Sequence, residues 1–420
     1  MKGGVIHMID NEKLSNFIDD NLTTDSPYGV YSFEYIFSFK HLCESANLCK
    51  RNVYWKASVQ NFMRATTYNC RVIHRHLMDG TFKFMKTNKF DIFERGKLRH
   101  IKSVKIRDRV VQKALCNYCL LPLFQPSFIY DNCASTKNKG ISFAFRRVAA
   151  MLQKHYRRYG NEGYVLTFDF KDYFGSINHE KALEMVAKKV KDEQVLEIVK
   201  AAISIYSENG GVGIGLGSEL SQFLALLFAN PIDHLIKDKL KFKYYIRYMD
   251  DGFIISDSKE RLQEALIEIQ EMCKELDLKL NMNKTHIVPL KQGFRFLKKR
   301  ILLGETGRIT MKISRSTVTR MRRKLKKFAK MFKNGEMTIK HIEEAYVSWR
   351  GFVKQFDAFE TIKKMDELYD SLFGYIPHSK QELAKIGERA AEKKTEVLCE
   401  MAQAFFGDFT PYAFDGMEEF

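Results

Sequence analysis

Residues 244–255 read Tyr-Tyr-Ile-Arg-Tyr-Met-Asp-Asp-Gly-Phe-Ile-Ile, and this stretch decides how the rest of the chain is interpreted. Apolar residues flank Asp250, Asp251 and Gly252 on both sides, and Asp-Gly is a frequent sequence at the turn of a β-hairpin. The stretch therefore predicts a hairpin that carries two adjacent carboxylates at its turn. An isolated Asp-Asp-Gly is more often a simple turn than a site, so a functional interpretation needs support from elsewhere in the chain.

A third carboxylate ends a second apolar segment, residues 164–169, which read Tyr-Val-Leu-Thr-Phe-Asp. Such a short apolar run is typical of a buried strand. A carboxylate among buried residues costs free energy unless its charge is compensated, and a divalent cation does so well. If the two segments are neighbouring strands, Asp169, Asp250 and Asp251 gather around one or two Mg²⁺ ions, with Mn²⁺ as the alternative ion. Two ions about 3.5–4 Å apart can activate an attacking 3′-hydroxyl and stabilise a leaving pyrophosphate.

The remaining sequence predicts an α+β protein with an antiparallel central sheet and helices beside it. Apolar residues recur at helical spacing in several segments, and short apolar runs bounded by turn residues indicate strands. Helices are expected at about residues 32–78, 107–121, 141–156, 170–207, 219–240, 259–276 and from 314 onward, with a loop at 122–140. Strands are expected at 164–169 and 279–288, and in hairpins at 90–106, 244–256 and 294–310.

The chain is strongly basic. Its 420 residues include 69 Lys and Arg against 51 Asp and Glu, which gives a net charge of +18. Such an excess indicates a polyanionic partner, most often nucleic acid, although a generally basic surface is the alternative. No apolar run is long enough for a membrane span, and residues 1–11 lack the order of a secretory signal. We therefore expect a cytoplasmic protein with reduced cysteines, in which Cys116 and Cys119 serve helix packing rather than zinc or redox chemistry.

Two motifs of the sequence resemble motifs of a known protein family. Residues 248–251, Tyr-Met-Asp-Asp, resemble the Tyr-x-Asp-Asp box of reverse transcriptases, and residues 168–177 resemble the palm motif that precedes this box. The resemblance implies a right-hand polymerase fold with fingers, palm and helical thumb. It implies that Asp169 and Asp250 are the principal metal ligands, with Asp251 in support and the Phe170 carbonyl as a further ligand. Phe174 matches the aromatic steric gate that favours deoxynucleotides, with core packing as the alternative.

The resemblance extends in the correct order from about residue 80 to residue 356. Residues 99–112 are similar to the first fingers motif, which implies that Arg99 reaches the incoming triphosphate, since a guanidinium matches phosphate oxygens. Residues 131–140 resemble the second fingers motif. The arginine common there is replaced by Thr136, which leaves open whether Lys137 or Lys139 contacts phosphate.

Two later motifs nominate further nucleotide-binding residues. Residues 216–222, Leu-Gly-Ser-Glu-Leu-Ser-Gln, correspond to a motif usually written Gln-Gly-x-x-x-Ser-Pro. Gly217 would let the backbone approach the nucleotide or template closely, and Gln222 stands in place of the usual proline. Residues 278–285 resemble the next motif, which implies that Lys284 is the general acid that protonates pyrophosphate. A solvated lysine is the alternative.

The segment from residue 312 to residue 330 predicts an amphipathic basic helix. In a polymerase thumb such a helix would lie along a duplex backbone and read its shape rather than its sequence. The expected nucleic-acid-binding residues are Arg315, Arg320, Arg322, Arg323, Lys324 and Lys327. The resemblance implies five segments: an N-terminal helical region (1–85), fingers (86–163), palm (164–310), thumb (311–373) and a C-terminal extension (374–420) too short for a ribonuclease H domain.

The leading hypothesis is an RNA-directed DNA polymerase that uses an RNA template and deoxynucleoside triphosphates to make a DNA product. Its compact architecture and the Gly-x-x-x-Ser-Gln motif resemble defence-associated reverse transcriptases, which copy a structured non-coding RNA in anti-phage defence. The alternatives are a diversity-generating retroelement enzyme, template-independent or protein-primed synthesis on the same centre, and a polymerase-fold RNA-binding scaffold without activity. A second copy of the chain or a small accessory protein is left open as a partner.

Overall fold

The computed structural model describes residues 31–94, 97–207 and 211–379. The chain divides into two compact units, the first formed by Met1–Leu297 with Ile301–Ile309 and the second by Lys298–Arg300 with Thr310–Phe420. Helices and antiparallel sheets occur together, so the predicted α+β class is confirmed. No helix in the described ranges is long and apolar enough to cross a membrane. The division into five segments stays a prediction, and most of the C-terminal extension lies outside the described residues.

Four helices open the described part of the chain, as the helical spacing of residues 32–78 predicts. The hydroxyl groups of Ser32 and Ser38 accept hydrogen bonds from the backbone N–H groups of Tyr35 and His41, and so begin the first two helices. Apolar residues of these helices share one core with the central sheet. The helices are α1 (Phe33–Ile36), α2 (Phe39–Cys49), α3 (Ala57–Arg64) and α4 (Thr66–Met78).

A basic hairpin and a long helix follow. The elements are β1 (Asn88–Glu94), β2 (Lys97–Ser103), α5 (Ile106–Leu115), a π-helical segment (Cys116–Leu120) and α6 (Leu121–Phe124). The predicted hairpin is confirmed, because β1 and β2 pair in antiparallel fashion. The loop predicted from Pro122 is wrong at its start. Pro122 stands at the beginning of α6, a helix position where the missing N–H of proline is tolerated.

Four antiparallel strands form the central sheet in the order β4-β5-β3-β6. They are β3 (Tyr164–Asp169), β4 (Tyr244–Tyr248), β5 (Asp251–Ser256) and β6 (His286–Pro289). The hairpin predicted at residues 244–256 is therefore confirmed. In the register between β3 and β5, Tyr164 lies opposite Ser256 and Asp169 lies opposite Asp251. The acidic ends of these two strands consequently lie side by side.

Seven helices accompany this sheet in the described residues of the first unit. They are α7 (Ile141–Tyr159), α8 (Tyr173–Ser176), α9 (His179–Ala187), α10 (Glu193–Ser204), α11 (Glu219–Phe228), α12 (Asn230–His234) and α13 (Lys259–Glu275). The single helix predicted at 219–240 is interrupted at Ala229, and a π-helical segment (Leu235–Lys239) follows α12. Pro231 explains the interruption, since a proline inside a helix lacks an N–H and clashes with the preceding turn.

The strand predicted at 279–288 is shorter than expected, because only β6 pairs with β3. Residues 282–284 form a turn instead. The backbone N–H of Lys284 and the hydroxyl of Thr285 donate to the carbonyl oxygen of Asn281 and close this turn. The turn allows Asn281 and Lys284 to contact the same carboxylate, as described below.

Three short strands and three helices complete the described chain. The strands are β7 (Phe294–Phe296), β8 (Lys299–Leu303) and β9 (Ile309–Lys312), where a single hairpin was predicted. The helices are α14 (Arg315–Lys333), α15 (Ile339–Val353) and α16 (Phe359–Phe373), as the sequence predicts. A separate apolar core holds these helices together around Leu325, Tyr346 and Tyr369. The hydroxyl of Tyr346 donates to Asp366 at 2.6 Å inside this core.

Candidate active site

Asp169 and Asp251 lie opposite each other on neighbouring strands. They are register partners at the end of the β3–β5 pair, and Tyr248 partners Asp251 from β4. Met249 and Asp250 form the turn between β4 and β5, and Met249 adopts a left-handed φ of 55°. Because residues opposite each other in antiparallel strands have Cβ atoms about 4.5–5.5 Å apart, the carboxylates of Asp169 and Asp251 are neighbours here. Asp250 lies in the turn directly before Asp251.

Gly252 allows the two acidic strands to approach closely. Gly252 lies opposite Phe168 in the β3–β5 register. A Cβ atom at position 252 would stand 2.5 Å from the ring of Phe168, far closer than side chains tolerate. The Asp-Asp-Gly sequence therefore has a packing role in addition to its turn role, because glycine leaves room for the Phe168 ring beside the strand that carries Asp251.

Two side chains from the turn before β6 hold Asp169. The ammonium group of Lys284 donates to one carboxylate oxygen at 2.7 Å, and the amide of Asn281 donates to the other at 3.3 Å. The backbone N–H of Asn281 also donates to the carbonyl oxygen of Asp169 at 2.7 Å. The Asp169 side chain is 7% exposed. Asp169 is therefore fixed in orientation by a segment that the sequence predicted as plain strand.

The negative charges at this end of the sheet influence one another. Burial, together with the charges of Asp250 and Asp169 and a hydrogen bond with Asp169, raises the pKa of Asp251 to about 7. Burial alone would lower the pKa of Lys284, but its hydrogen bond with Asp169 and the nearby carboxylate charges raise that pKa above its ordinary value. A cation is therefore favoured in this place, and Lys284 supplies one.

These residues fit a divalent cation in charge and in donor chemistry, because hard ions such as Mg²⁺ prefer carboxylate and carbonyl oxygens. A carboxyl pKa that is raised by burial and by neighbouring carboxylates is typical of a site in which further positive charge is stabilising. Within the described ranges, no three acidic, histidine or cysteine side chains already surround a common ion position. The predicted ligands are thus brought to one strand end, and the assignment of Asp169, Phe170, Asp250 and Asp251 as ligands stays a prediction.

A buried ion pair below the acidic turn was missed by the sequence interpretation. The guanidinium of Arg247 donates to both carboxylate oxygens of Asp233 at 2.7 and 2.6 Å, and both side chains are fully buried. Arg247 also donates to the carbonyl oxygen of Met249 at 2.9 Å and to that of Leu226 at 3.2 Å. One side chain therefore connects the acidic turn with α11 and α12. An arginine inside an otherwise apolar strand was the signal in the sequence.

The backbone of Arg247 joins the acidic hairpin to the second fingers-like motif. Its N–H donates to the carbonyl oxygen of Asp131 at 3.2 Å, and its carbonyl oxygen accepts from the N–H of Cys133 at 2.9 Å. The carboxylate of Asp131 is held in turn by Arg147 at 2.6 Å. Residues 131–133 thus add to the free edge of β4, the outer strand of the sheet. This explains how the segment with Lys137 and Lys139 is positioned.

The structure places the other predicted nucleotide-binding residues on three segments around this hairpin. Lys137 is exposed in its loop, whereas the ammonium of Lys139 donates to the carbonyl oxygens of Tyr130 and Asn132 at 2.7 and 3.1 Å. Gln222 on α11 accepts a hydrogen bond from Ser135 at 2.8 Å and so links its motif to the same loop. The ammonium of Lys139 is used to hold the loop together, whereas Lys137 is exposed. Lys137 is therefore the better candidate for a contact with a nucleotide phosphate.

Gly217, Phe170 and Phe174 lie on segments that the structure describes. Gly217 has a φ of +98°, a conformation that L side chains rarely adopt. Phe170 is buried and bridges to Leu280, directly after the strand that ends in Asp169. Phe174 is half-buried on α8, so part of its ring is available to a ligand. Their roles toward nucleotide and metal stay predictions.

Two further groups of predicted residues lie elsewhere. The backbone of Arg99 pairs with Ile92 in the β1–β2 hairpin, and its side chain lies outside the described part of the structure. The predicted basic residues of α14 belong to the second unit. All of them are exposed, while Met321 and Leu325 of the same helix are buried. The exposed residues are Arg315, Arg320, Arg322, Arg323, Lys324 and Lys327.

Comparison with known proteins supports the interpretation of the acidic hairpin. Residues 85–300 match the family model described as reverse transcriptase (RNA-dependent DNA polymerase). The match covers more than half of the 420 residues and contains Asp169, Asp250, Asp251 and Lys284. The chain therefore belongs to the reverse transcriptase family. The resemblance inferred from the two sequence motifs is confirmed at this level, while the defence-associated and retroelement subtypes stay predictions.

Two individual proteins show more distant similarity. Protein YkfC of Escherichia coli (strain K12) is 23% identical over 249 residues, which are 49% of this chain and 64% of YkfC. The chain thus matches less than two thirds of the length of that relative. A solved structure of apo telomerase from Candida tropicalis, truncated from its C-terminal domain, has a TM-score of 0.42 and 13% identity over 55% of each chain.

Proposed function

We propose that the protein is an RNA-directed DNA polymerase that extends the 3′-hydroxyl of a primer with deoxynucleoside triphosphates on an RNA template. The observation that carries this proposal is the pairing of Asp169 with Asp251 beside Asp250, in a chain of the reverse transcriptase family. The excess of positive charge, +18 over the chain, suits a protein that holds nucleic acid. The products are a lengthened DNA strand and pyrophosphate.

The acidic strand ends are the groups that would hold two Mg²⁺ ions: Asp169, Asp250, Asp251 and the carbonyl oxygen of Phe170. Bound ions would activate the 3′-hydroxyl and neutralise charge on the leaving pyrophosphate. The chain itself keeps the carboxylates in place, because Asp169 ends a buried strand and Asp250 sits in a turn anchored by Arg247. Such preorganisation lowers the free energy needed to reach the transition state.

Lys284 is proposed as the proton donor to pyrophosphate. The raised pKa of its ammonium keeps it protonated at neutral pH, so a proton is available at Nζ. The Nζ atom of Lys284 lies 2.7 Å from Asp169, so its proton would be close to phosphates that the carboxylates held through metal ions. Its side chain is 53% exposed, so it can turn from Asp169 toward a leaving group. A general acid has to be within hydrogen-bond reach of the group it protonates.

Nucleotide selection is proposed for Phe174 and its neighbours. Phe174 lies in the short helix α8, shortly after Asp169 in the chain, and is half-buried. Its ring would occupy the space of a ribose 2′-hydroxyl. Gly217 gives the backbone close access to the nucleotide, and Gln222 holds the loop that carries Lys137. In the second unit, the exposed cations of α14 would follow a duplex backbone through phosphate contacts.

We further propose that the template is a structured RNA and that the enzyme acts in the cytoplasm of a bacterium in defence against phage. The departures at Leu216 and Gln222 from the usual Gln-Gly-x-x-x-Ser-Pro motif support this role over a group II intron maturase. A plating assay tests it. Cells that express the wild-type protein with its neighbouring DNA should reduce phage plaques, and cells with Asp250→Ala should not. Equal plaque numbers in the two kinds of cells would contradict the role in defence, but they would not contradict the proposed polymerase activity.

Sequencing of reaction products tests the proposed activity. Purified protein is supplied with a DNA primer annealed to RNA, Mg²⁺ and all four deoxynucleotides, and the extended strands are sequenced. The proposal expects products that mirror the RNA and disappear in Asp250→Ala and Asp251→Ala. Products unrelated to the template would indicate template-independent synthesis instead. Equal extension by wild type and variants, or none with any metal or template, would indicate an RNA-binding scaffold.

A further inference from the structure

A basic concavity of about 550 Å³ lies in the first unit, outside the acidic site. Helix α7 supplies most of its wall, and Lys243 and Tyr244 at the start of β4 supply the remainder. Five of its eight lining residues are cationic and none is acidic: Arg147, Lys154, Arg157, Arg158 and Lys243. A concave surface with a single sign of charge concentrates ions of the opposite sign.

Most of these cations form no ion pair in the described part of the structure. Arg147 is the exception, since its guanidinium donates to the carboxylate of Asp131 at 2.6 Å. Lys154, Arg157 and Arg158 are exposed, and no carboxylate in residues 31–94, 97–207 and 211–379 forms an ion pair with any of them. Like charges gathered without partners repel one another, and a bound polyanion would remove this repulsion. The concavity therefore favours an anionic ligand with several charges.

The arrangement of the cations indicates a linear ligand. Arg147, Lys154 and Arg158 follow one face of α7, because residues seven and eleven positions apart return to the same side of a helix. Arg147 is already paired with Asp131, and the two exposed members of this row, Lys154 and Arg158, lie about 6 Å apart at 1.5 Å per residue. With Arg157 and Lys243 they offer several separate positive charges to one extended anion. Tyr244 lines the concavity and is half-buried, so an aromatic side chain is present beside these cations, and bases stack on such side chains.

The concavity and the acidic turn lie at opposite ends of β4. Tyr244 begins this strand at the concavity, and Tyr248 ends it at the turn. Four residues of extended strand separate the two ends by about 13 Å. The concavity is therefore too far from the carboxylates to contact the nucleotide that they would hold, yet close enough to contact the same nucleic acid.

We infer that this concavity binds the phosphate backbone of RNA, and that it holds a stretch of the template RNA away from the reacting nucleotide. The identity of the ligand as RNA rests on the proposed function. Guanidinium groups suit phosphate oxygens through paired hydrogen bonds. An acidic protein segment fits less well, because protein interfaces depend on buried apolar anchors, whereas five of the eight residues that line this wall are charged.

The test compares two triple variants of the full chain. The first, Lys154→Gln with Arg157→Gln and Arg158→Gln, neutralises the concavity. The second neutralises three equally exposed lysines outside it: Lys188→Gln, Lys191→Gln and Lys259→Gln. Binding of a fluorescent single-stranded RNA and of a DNA with the same sequence is measured by anisotropy over a range of salt concentrations. Extension of a short primer–template at saturating concentration is measured separately.

The inference expects the first triple variant to bind RNA about tenfold more weakly and the slope of log Kd against log salt to fall by about 2, since each lost single-strand contact removes about 0.7. The second triple variant should bind RNA much more tightly than the first, and short-duplex extension should be unchanged. Two results would overturn the inference: no loss in the first variant, or an equal loss in the second. A similar loss for DNA is expected, because phosphate contacts do not distinguish the two backbones.

Binding of polyglutamate distinguishes an acidic protein ligand. If fluorescent polyglutamate bound the wild type and lost affinity in the first triple variant, while RNA bound both equally, the concavity would bind acidic protein and the inference would be wrong. Failure of short-duplex extension in the wild type would contradict the proposed polymerase activity alone, because RNA binding is measured without nucleotides.

Discussion

The buried guanidinium of Arg247 donates hydrogen bonds to both carboxylate oxygens of Asp233, at 2.7 and 2.6 Å. The same guanidinium donates to the carbonyl oxygen of Met249 in the acidic turn. Burial alone would lower the pKa of Arg247, but the charge and hydrogen bonds of Asp233 raise it above its ordinary value. The pair therefore remains ionised in the core. Its position indicates that it fixes the turn that carries Asp250.

Replacing Arg247 by Lys should impair both folding and catalysis. Lysine keeps the charge but lacks the planar fork, so it cannot hold Asp233 and Met249 together. Breaking a buried pair in this way costs about 3–5 kcal/mol, because a charge is left without its full set of partners. We expect a lower Tm and a kcat reduced about tenfold or more at permissive temperature, with a smaller change in the KM for nucleotide. Thermal melting and steady-state primer extension measure these effects.

A double variant separates stability from positioning. Replacing a buried ion pair by apolar residues of similar size is often neutral for stability. Arg247→Met with Asp233→Leu should therefore recover part of the lost Tm, since the buried hydroxyl of Tyr245 also loses its acceptor in Asp233. It should not recover the lost kcat, because the carbonyl oxygen of Met249 still lacks its donor. Recovery of both quantities would show that the pair supports folding only.

Asp251→Asn should stabilise the metal-free protein while abolishing activity. The pKa of Asp251 is raised to about 7 by burial and by the charges of Asp250 and Asp169, so its ionised form is disfavoured in the folded state. The cost is fully present above about pH 7 and disappears below the unfolded value near 4. We expect the variant to gain about 2 kcal/mol at pH 8 in EDTA, and less as the pH falls. Denaturant unfolding at several pH values measures the difference.

Adding Mg²⁺ should reverse this order. An ion that binds the folded carboxylates stabilises the wild type by mass action, and it should stabilise Asp251→Asn less because one ligand is missing. A variant that is less stable than the wild type in EDTA at pH 8 would contradict the electrostatic account of this site.

Gly252→Ala should disturb the packing of the acidic strands. The added Cβ would stand 2.5 Å from the Phe168 ring, so the β3–β5 pair has to shift. Overpacking of this kind costs about 1–3 kcal/mol, and the shift should also reduce the rate of primer extension. Gly351→Ala is the matched control, because a Cβ there meets nothing within 4 Å in helix α15 and alanine favours helix. Equal effects of the two substitutions would show that the close contact with Phe168 is unimportant.

Phe174→Ala should relax the choice between deoxyribonucleotides and ribonucleotides. The proposal places the partly exposed ring of Phe174 where a ribose 2′-hydroxyl would lie. Removing the ring should improve the ratio of kcat/KM for ribonucleotides over deoxyribonucleotides by about tenfold or more. Single-nucleotide incorporation measures this ratio, and deoxynucleotide incorporation by the same variant is the internal control for folding. An unchanged ratio would assign Phe174 to core packing.

The sequence predicted the acidic strand pair because local patterns define it. Alternating apolar segments with carboxylates at their ends predict strands at 164–169 and 244–256, and the family resemblance implied that they are neighbours. The register of Asp169 with Asp251 follows from pairing over the whole length of β3. Pattern and motif together were sufficient for the two strands, because each strand has its own apolar run and its own terminal carboxylate.

Other features depend on contacts between distant residues and could not be predicted. The partner of Arg247 is Asp233 in α12, and nothing local to either residue specifies the pair. Lys284 was predicted on a strand, but hydrogen bonds of Asn281 with Asp169 turn the chain there. These long-range hydrogen bonds override the strand-like pattern of residues 279–288. Both features lie in the acidic site, where polar contacts replace apolar periodicity.

The most direct test of the central claim is Mg²⁺-dependent primer extension by Asp169→Asn, with Asp172→Asn as its control. Both changes remove one charge from the same segment, but Asp172 is exposed and has a left-handed φ of 45°, which asparagine tolerates. If Asp169 and the Asp250–Asp251 turn form one metal-dependent centre, Asp169→Asn should lose activity about a hundredfold or more while Asp172→Asn stays near wild type. If Asp169→Asn extended primers as fast as the wild type, the claim that these carboxylates form one metal-dependent centre would be wrong.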